Sequence, residues 1–411
     1  MASAVPAATS HSGPLRNMPF NAGLEFLCRN SKQESKSEMN RRFATLASMT
    51  ALILACVCLA AAAFAQDNAA SKPRAMYLAI PPHSYYPVEP STTQLTQWTY
   101  SFTYNGQKYT PVIVGTNATT TNTSTTTPVV IIPIKLVFGK TNGNHTYDPN
   151  KDIYPGTKLT VTQYVAQSPL FVPINFTQGG VNLGTTQYED AYERGSFWKY
   201  VSKHPKYHVL LGTPTILPEE TVKVTPGNGS IQQNPFGKGK VGFWSNINAV
   251  DVLVQGYIHQ LKQIQPNVLP LFLVYDSYIA CGSGCAIGGY HSALAGPPSG
   301  QTYSFSTIID SSTAPVTFAQ SAGALSHEFG EWVLDPFTTN PGCGGAMENG
   351  DPLETEPNYG LYPFTGKNSS AYSMQDLVFV NYFGAPKNTS LKSWYTFENE
   401  FISAPCSRGQ E

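Results

Sequence analysis

The residues of this chain best suited to chemistry lie in the run SHEFGE at positions 326–331, which has the spacing of a metal-binding helix. In the zinc-protease pattern H-E-x-x-H, the first and last residues share one helix face and bind the metal, while the Glu acts as a base on water. Here His327 and Glu331 hold the two ligand positions, and Glu328 holds the position of the base. Because a glutamate oxygen is an acceptable zinc ligand, the run still predicts a metal-dependent hydrolytic site.

A third metal ligand must come from another part of the chain. Glu348 follows Glu331 at a spacing similar to that in proteases with a downstream glutamate ligand, and Asp351 is the reserve candidate. Upstream, His291 ends a glycine-rich run that we interpret as a loop. His291 is predicted either as a ligand or, in a catalytic role, as a donor to a substrate carbonyl, which Tyr290 could share. The motif predicts zinc as the cofactor, but a carboxylate-rich set suits zinc less exclusively, so manganese and calcium are alternatives.

A helix must position these residues, and the apolar spacing predicts one from Phe318 to Leu334 with Thr317 as its N-cap. At 1.5 Å per residue, Asp335 lies about 12 Å along the axis from His327, too far to bind the same metal on a straight helix. Pro336 ends the helix, because the residue before a proline is pushed out of the helical region. Asp335 is therefore predicted to support the ligands or the structure.

The remaining elements predict an α+β fold. Apolar and β-branched patterns predict a hairpin, a strand, an amphipathic helix and a further strand, at residues 99–114, 129–138, 249–262 and 269–275. The hairpin turns at Asn105-Gly106, and Pro133 argues that the first long strand is an edge or carries a bulge. We predict a β-rich domain at 96–245 and a zincin-like helix-and-sheet domain at 246–411.

The amino end predicts export. Residues 1–38 form a surplus leader, and residues 39–65 have the basic start, apolar run and small-x-small cleavage pattern of a signal peptide. A retained membrane anchor is the alternative, since the apolar run has about the ~20 residues that span a bilayer. We favour cleavage, which predicts a secreted or periplasmic protein with no stable membrane span. Residues 66–95, rich in Pro, Ser and Ala, are predicted to form a linker.

Cysteine and charge content narrow the class of protein further. Four cysteines follow the predicted cleavage site, Cys281, Cys285, Cys343 and Cys406, and in an exported chain they predict two disulfides with three possible pairings. A metal clip formed by Cys281 and Cys285 is the alternative. Lys plus Arg (25) nearly balances Asp plus Glu (26), so no nucleic-acid partner is indicated.

The site motifs also carry a family resemblance. The runs GYHS at 289–292, SHEFGE at 326–331 with Asp335-Pro336, and ENGD at 348–351 resemble the plant exordium (phosphate-induced protein) family. They are also similar to bacterial exported proteins with the same H-E-x-x-E pattern. The resemblance, which covers roughly residues 285–406, implies a zincin-like metallopeptidase arrangement. Gly330 departs from it, because that position often holds Ala, and Gly costs a helix about 1 kcal/mol.

Two functions follow as hypotheses. The first is an exported zinc peptidase in which water is activated by Glu328 and the substrate is a peptide or protein. The second is a non-enzymatic cell-surface or extracellular protein with a structural or degenerate metal site and a cell-surface glycan as partner. An open coordination position distinguishes the two, because a structural site fills every position with side chains.

Overall fold

An eleven-stranded mixed sheet forms the centre of the fold in the computed structural model, which describes residues 74–281, 285–310 and 320–406. The predicted leader and signal peptide lie outside the described residues. The strands are β1 Arg74–Ala79, β2 Gln97–Thr99, β3 Phe102–Tyr104, β4 Gln107–Tyr109, β5 Val112–Val114, β6 Ser124–Thr127, β7 Val129–Phe138, β8 His145–Tyr147, β9 Ile174–Gln178, β10 Val181–Thr186, β11 His208–Leu211, β12 Thr215–Ile216, β13 Glu220–Val224, β14 Gly229–Gln233, β15 Lys240–Trp244, β16 Leu269–Tyr275, β17 Ser277–Ala280, β18 Cys285–Ala293, β19 Thr302–Ile308, β20 Pro341–Gly342, β21 Gly345–Ala346, β22 Leu361–Thr365 and β23 Ala371–Gln375. The helices are α1 Val161–Ala166, α2 Tyr188–Ser196, α3 Trp198–Val201, α4 Ile247–Gln260 and α5 Gly323–Leu334.

The strand order of the main sheet is β12-β7-β16-β19-β18-β17-β15-β14, with β1 beside β18 and with β13 and β8 beside β7. Neighbours β7, β16 and β19 run parallel and are buried almost throughout. Burial on both faces explains why these strands read as continuous apolar runs in the sequence. The fold is thus a strand-rich mixture of helix and sheet, as predicted at that coarse level.

Pro133 was predicted to mark an edge strand or a bulge, but β7 pairs on both sides and its register with β16 is regular. Pro133 lies opposite Leu273 of β16. On the other side, β12 ends opposite Ile131 and β13 begins opposite Ile134, so the neighbouring strand is interrupted at the proline. A residue without an N–H is tolerated there because no continuous ladder requires its donor.

Strands from both predicted domains pair within this sheet. β7 and β15 come from residues 96–245, and they pair with β16 and β17 from residues 246–411. One hydrophobic cluster also contains side chains from both ranges. The boundary at residue 245 therefore falls inside a shared sheet. The predicted linker contributes as well, since β1 pairs in parallel with β18.

The site helix α5 begins later than its predicted start. Gln320 forms an isolated bridge, the next two residues form a turn, and the helix runs from Gly323 to Leu334. The predicted N-cap Thr317 lies outside the described residues. At the other end Asp335 has non-helical angles, φ −138° and ψ 65°, directly before Pro336 as predicted. Every residue of α5 is buried, because the helix packs against β18, β19 and β23.

Two disulfides join the four cysteines, Cys281 to Cys285 and Cys343 to Cys406. The first bond excludes the alternative of a metal clip. Disulfides persist in oxidising compartments, so this pairing is typical of an extracytoplasmic environment. Among the described helices, none is both long and apolar enough to cross a bilayer.

Candidate metal centre

Helix α5 brings the three motif residues to a fully buried position. The side chains of His327, Glu328 and Glu331 are all at most 1% exposed. Nε2 of His327 lies 3.0 Å from Oε1 of Glu331, as expected for residues four apart on one helix face. That nitrogen nevertheless has no hydrogen-bond partner in the described structure. The pair therefore presents a base and a carboxylate oxygen side by side.

A glutamine holds the His327 ring from behind. Gln375, at the end of β23, donates through Nε2 to the carbonyl of Tyr359 at 3.0 Å, so its Oε1 is free to accept from Nδ1 of His327. A histidine whose Nδ1 carries the proton offers Nε2 to a metal, and such an outer partner is usual at metal sites. Tyr77 of β1 stacks on the same ring at 3.8 Å. The sequence pattern contained no motif that pointed to Gln375 or Tyr77.

The segment after β21 completes a first group of possible ligands, made of His327, Glu331 and Asp351. Oδ1 of Asp351 lies 3.6 Å from Nε2 of His327, and the Asp351 side chain is 49% exposed. Two hydrogen bonds tie this segment to α5, from Asn349 Nδ2 to the Gly330 carbonyl and from Gly350 N to Glu331 Oε1. A Cβ at Gly350 would overlap the His327 ring, so glycine permits this approach.

A second group consists of His291, Glu331 and Glu348. Nδ1 of His291 lies 3.6 Å from Oε2 of Glu331, and its Nε2 lies 3.6 Å from Oε2 of Glu348. Nδ1 also lies 3.2 Å from Oε2 of Glu328. Both carboxylate oxygens of Glu348 lack a hydrogen-bond partner among the described residues, although that side chain is only 5% exposed. Glu331 belongs to both groups.

The structure thus separates the two predicted third ligands. Asp351 joins His327, whereas Glu348 joins His291. Asp335 is placed behind them: its carboxylate accepts from the backbone N–H groups of Thr339 and Asn340, and its carbonyl lies 3.2 Å from Nε2 of His291.

The glycine-rich run before His291 was predicted as a loop, and this was wrong, because it lies within strand β18. A Cβ at Gly289 would lie 2.7 Å from Oε1 of Glu328, so the glycine makes room for that carboxylate in the strand. Tyr290 points away from His291, as neighbouring residues of a strand must. It stacks on Phe305 at 5.5 Å instead.

Gly330 also has a packing role. A Cβ there would overlap the buried side chain of Leu377. Glycine at this position costs helix stability, but it lets this turn of α5 pack closely against Leu377.

Burial and mutual charge shift the protonation of the whole site. Burial raises the pKa values of Glu328 and Glu348 well above the usual range and lowers that of His291 to about 4. For Glu331, burial acts in the same upward direction, but the His327 charge outweighs it and holds the pKa below its usual value. Burial opposes the charge on His327, yet Glu331 raises its pKa to about 9. Without a cation, protons therefore neutralise Glu328 and Glu348, while Glu331 and His327 form an ion pair. A metal ion would displace these protons.

The donor set fits a divalent ion with mixed nitrogen and oxygen preference. Imidazole nitrogen and carboxylate oxygen both bind zinc, and oxygen-rich sets also suit manganese. The buried groups could hold such an ion, and the unsatisfied atoms of His327, Glu331 and Glu348 are the physical reason to expect one. No protein-family model, curated protein or solved structure matches this chain.

Proposed function

We propose that the chain is an exported metal-dependent hydrolase, a zinc peptidase with a zincin-like active helix. The observation that carries this proposal is the first group, in which ligand atoms of His327, Glu331 and Asp351 lie within 4.8 Å of one another. Because Asp351 is half exposed, this group reaches the protein surface while its other ligands stay buried. A catalytic metal site requires such an accessible side for water and substrate.

Glu328 is the proposed general base. A divalent ion held by the first group would supply Lewis acidity to the substrate carbonyl. Glu328 accepts a proton from the water that attacks the carbonyl carbon and returns it to the departing amine, so one water is consumed and one C–N bond is broken. Nδ1 of His291 lies 3.2 Å from Oε2 of Glu328, on the side of the ring that faces this carboxylate.

Two further observations support the proposal. The disulfide pairing fits an exported chain. The resemblance of residues 289–292, 326–331 and 348–351 to the exordium family implies the same active-helix arrangement, and it supports the metal site more strongly than it supports proteolysis.

The test is metal content together with peptide hydrolysis, measured on the secreted full-length protein. We expect bound zinc and cleavage of a mixed peptide library in the wild type, loss of both in His327→Ala, and loss of cleavage with zinc retained in Glu328→Gln. Glu189→Gln is the matched control, since it changes a buried glutamate that belongs to neither group of ligands. Failure of the wild type to bind zinc, or unchanged cleavage in Glu328→Gln, would contradict the proposal.

The second candidate is a non-enzymatic exported protein with a structural metal site. It is favoured by the full burial of His291, His327 and Glu331 and by the Tyr77 ring that covers His327. In that case chelation would lower thermal stability, while the peptide library would remain intact. Binding to a cell-surface glycan that persists in Glu328→Gln would support this alternative.

A further inference from the structure

The two oxygens of the Glu331 carboxylate face two different histidines. Oε1 lies 3.0 Å from Nε2 of His327, and Oε2 lies 3.6 Å from Nδ1 of His291. A carboxylate that bridges two metal ions offers one oxygen to each, and two-metal hydrolases hold their ions about 3.5–4 Å apart. The arrangement around Glu331 therefore matches a bridging ligand, because each of its oxygens faces a different histidine.

Each oxygen of Glu331 also has its own additional carboxylate. Asp351 completes the first group beside His327, and Glu348 completes the second group beside His291. The two histidines do not belong to a common group among the described residues. One cation bound to the first group would leave Glu348 buried with both oxygens unsatisfied, which is costly unless another positive charge or proton reaches them.

The His291 ring is oriented for such a role. Its Nε2 lies 3.2 Å from the carbonyl oxygen of Asp335, which can only accept, so Nε2 carries the proton in the neutral ring. Nδ1 is then left as a lone-pair donor, 3.2 Å from Oε2 of Glu328 and 3.6 Å from Oε2 of Glu331, while Oε2 of Glu348 approaches the ring at 3.6 Å from Nε2. This mirrors His327, where Gln375 holds the proton on Nδ1 and Nε2 faces Oε1.

The charges of the site agree with two ions. Glu328, Glu331, Glu348 and Asp351 place four carboxyl groups around the two histidines, and four carboxylates that bind metal match the charge of two divalent cations. We infer that the chain binds two divalent transition-metal ions, with Glu331 as the bridging ligand, His327 and Asp351 on one ion, and His291 and Glu348 on the other. This inference rests on the metal site of the proposed function and extends it to a two-metal centre.

The test is the metal stoichiometry of the full-length secreted protein, loaded with zinc chloride and dialysed without chelator. We expect about two zinc ions per chain in the wild type, about one in Glu348→Gln and in Asp351→Asn, and almost none in Glu331→Gln. Glu189→Gln should keep both ions, because it removes a buried carboxylate from neither group.

The outcomes distinguish this inference from the proposed function. One zinc per chain that Glu348→Gln leaves in place would overturn the two-metal centre and leave the proposed hydrolase standing. No zinc in the wild type would overturn both. If a variant does not fold, electron paramagnetic resonance of the wild type loaded with Mn²⁺ tests the inference. Two neighbouring ions are expected to give a spin-coupled signal. An uncoupled signal of isolated ions at full loading would overturn the inference.

Discussion

Helices α2 and α5 pack on each other, and both bury carboxylates, but they satisfy them in opposite ways. On α2, Asp190 accepts hydrogen bonds from Thr186 Oγ1 at 2.5 Å and from the Val209 N–H at 2.6 Å, and His208 Nδ1 lies 2.7 Å away. On α5, Oε1 of Glu331 accepts from the Gly350 N–H and lies 3.0 Å from Nε2 of His327, while Oε2 lies 3.6 Å from Nδ1 of His291.

A buried carboxylate indicates a metal ion only when other lone-pair donors lie close to it. Asp190 is surrounded by donors, so its charge is compensated within the protein. Glu189 has no donor in the described structure, but burial raises its pKa well above the usual range, so a proton neutralises it. Around α5, histidine nitrogens and carboxylate oxygens lie close together. A single cation bound there could replace several protons, unlike at Asp190 or Glu189. Burial of acids is common to both helices, whereas converging lone pairs distinguish α5.

The largest expected effect is a difference in kcat between substitutions of Glu328 and Glu189. We expect Glu328→Gln to lower kcat for peptide cleavage by about 10²–10⁴-fold, because an amide cannot accept the proton of the attacking water. Glu189→Gln should leave kcat unchanged, since Glu189 is already neutral. Steady-state kinetics at equal zinc loading decides, and an equal loss in both variants would break the comparison.

Removal of zinc should lower the thermal stability of proteins that keep the metal ligands of α5. A ligand that binds only the folded state stabilises it by about 3 kcal/mol when its free concentration is ~100-fold above Kd. We therefore expect excess zinc, compared with a chelator, to raise the Tm of the wild type and of Glu189→Gln, but not that of Glu331→Gln. Differential scanning calorimetry measures this, and an equal zinc effect in all three proteins would contradict the assignment of Glu331.

On α2, Asp190→Asn is expected to lower stability without changing zinc binding. An amide has one acceptor oxygen, so it cannot accept from Thr186 Oγ1 at the Oδ2 position and from the Val209 N–H at the Oδ1 position, and we expect a loss of about 1–3 kcal/mol in the free energy of unfolding. Urea denaturation measures that loss. Zinc content should stay at the wild-type value, and loss of zinc would show that the two helices do not behave independently.

The smallest effect concerns the pH dependence of stability. Burial raises the pKa of Glu193 on α2 from 4.5 to about 8, so the folded state holds its proton over a range in which the unfolded state has released it. Stability from this group is complete below pH 4.5 and is lost as pH rises through 8, by up to about 1.4 kcal/mol per pH unit. Glu193→Gln should flatten that slope in denaturation curves taken from pH 5 to 8, whereas an unchanged slope would contradict a neutral Glu193.

Much of the local structure could be predicted from the sequence. Strands β7 and β16 have the predicted bounds, and the hairpin of β3 and β4 turns at Asn105-Gly106. The adjacency of His327 and Glu331 follows from the helix period alone, because residues four apart lie on one face. These features depend on residues close in sequence, where backbone geometry leaves few choices.

Which acid lies beside which histidine depends on the tertiary structure. Glu348 and Asp351 are separated by two residues, so spacing could not show that one joins His291 and the other His327. The cysteine pairing and the position of Gln375 behind His327 were open for the same reason. Contacts between distant segments are set by how β18, β23 and the segment after β21 pack on α5, and a local pattern contains no record of that packing. The helix and the side chains on it could be predicted from the sequence, whereas the acids that lie beside each histidine depend on the fold.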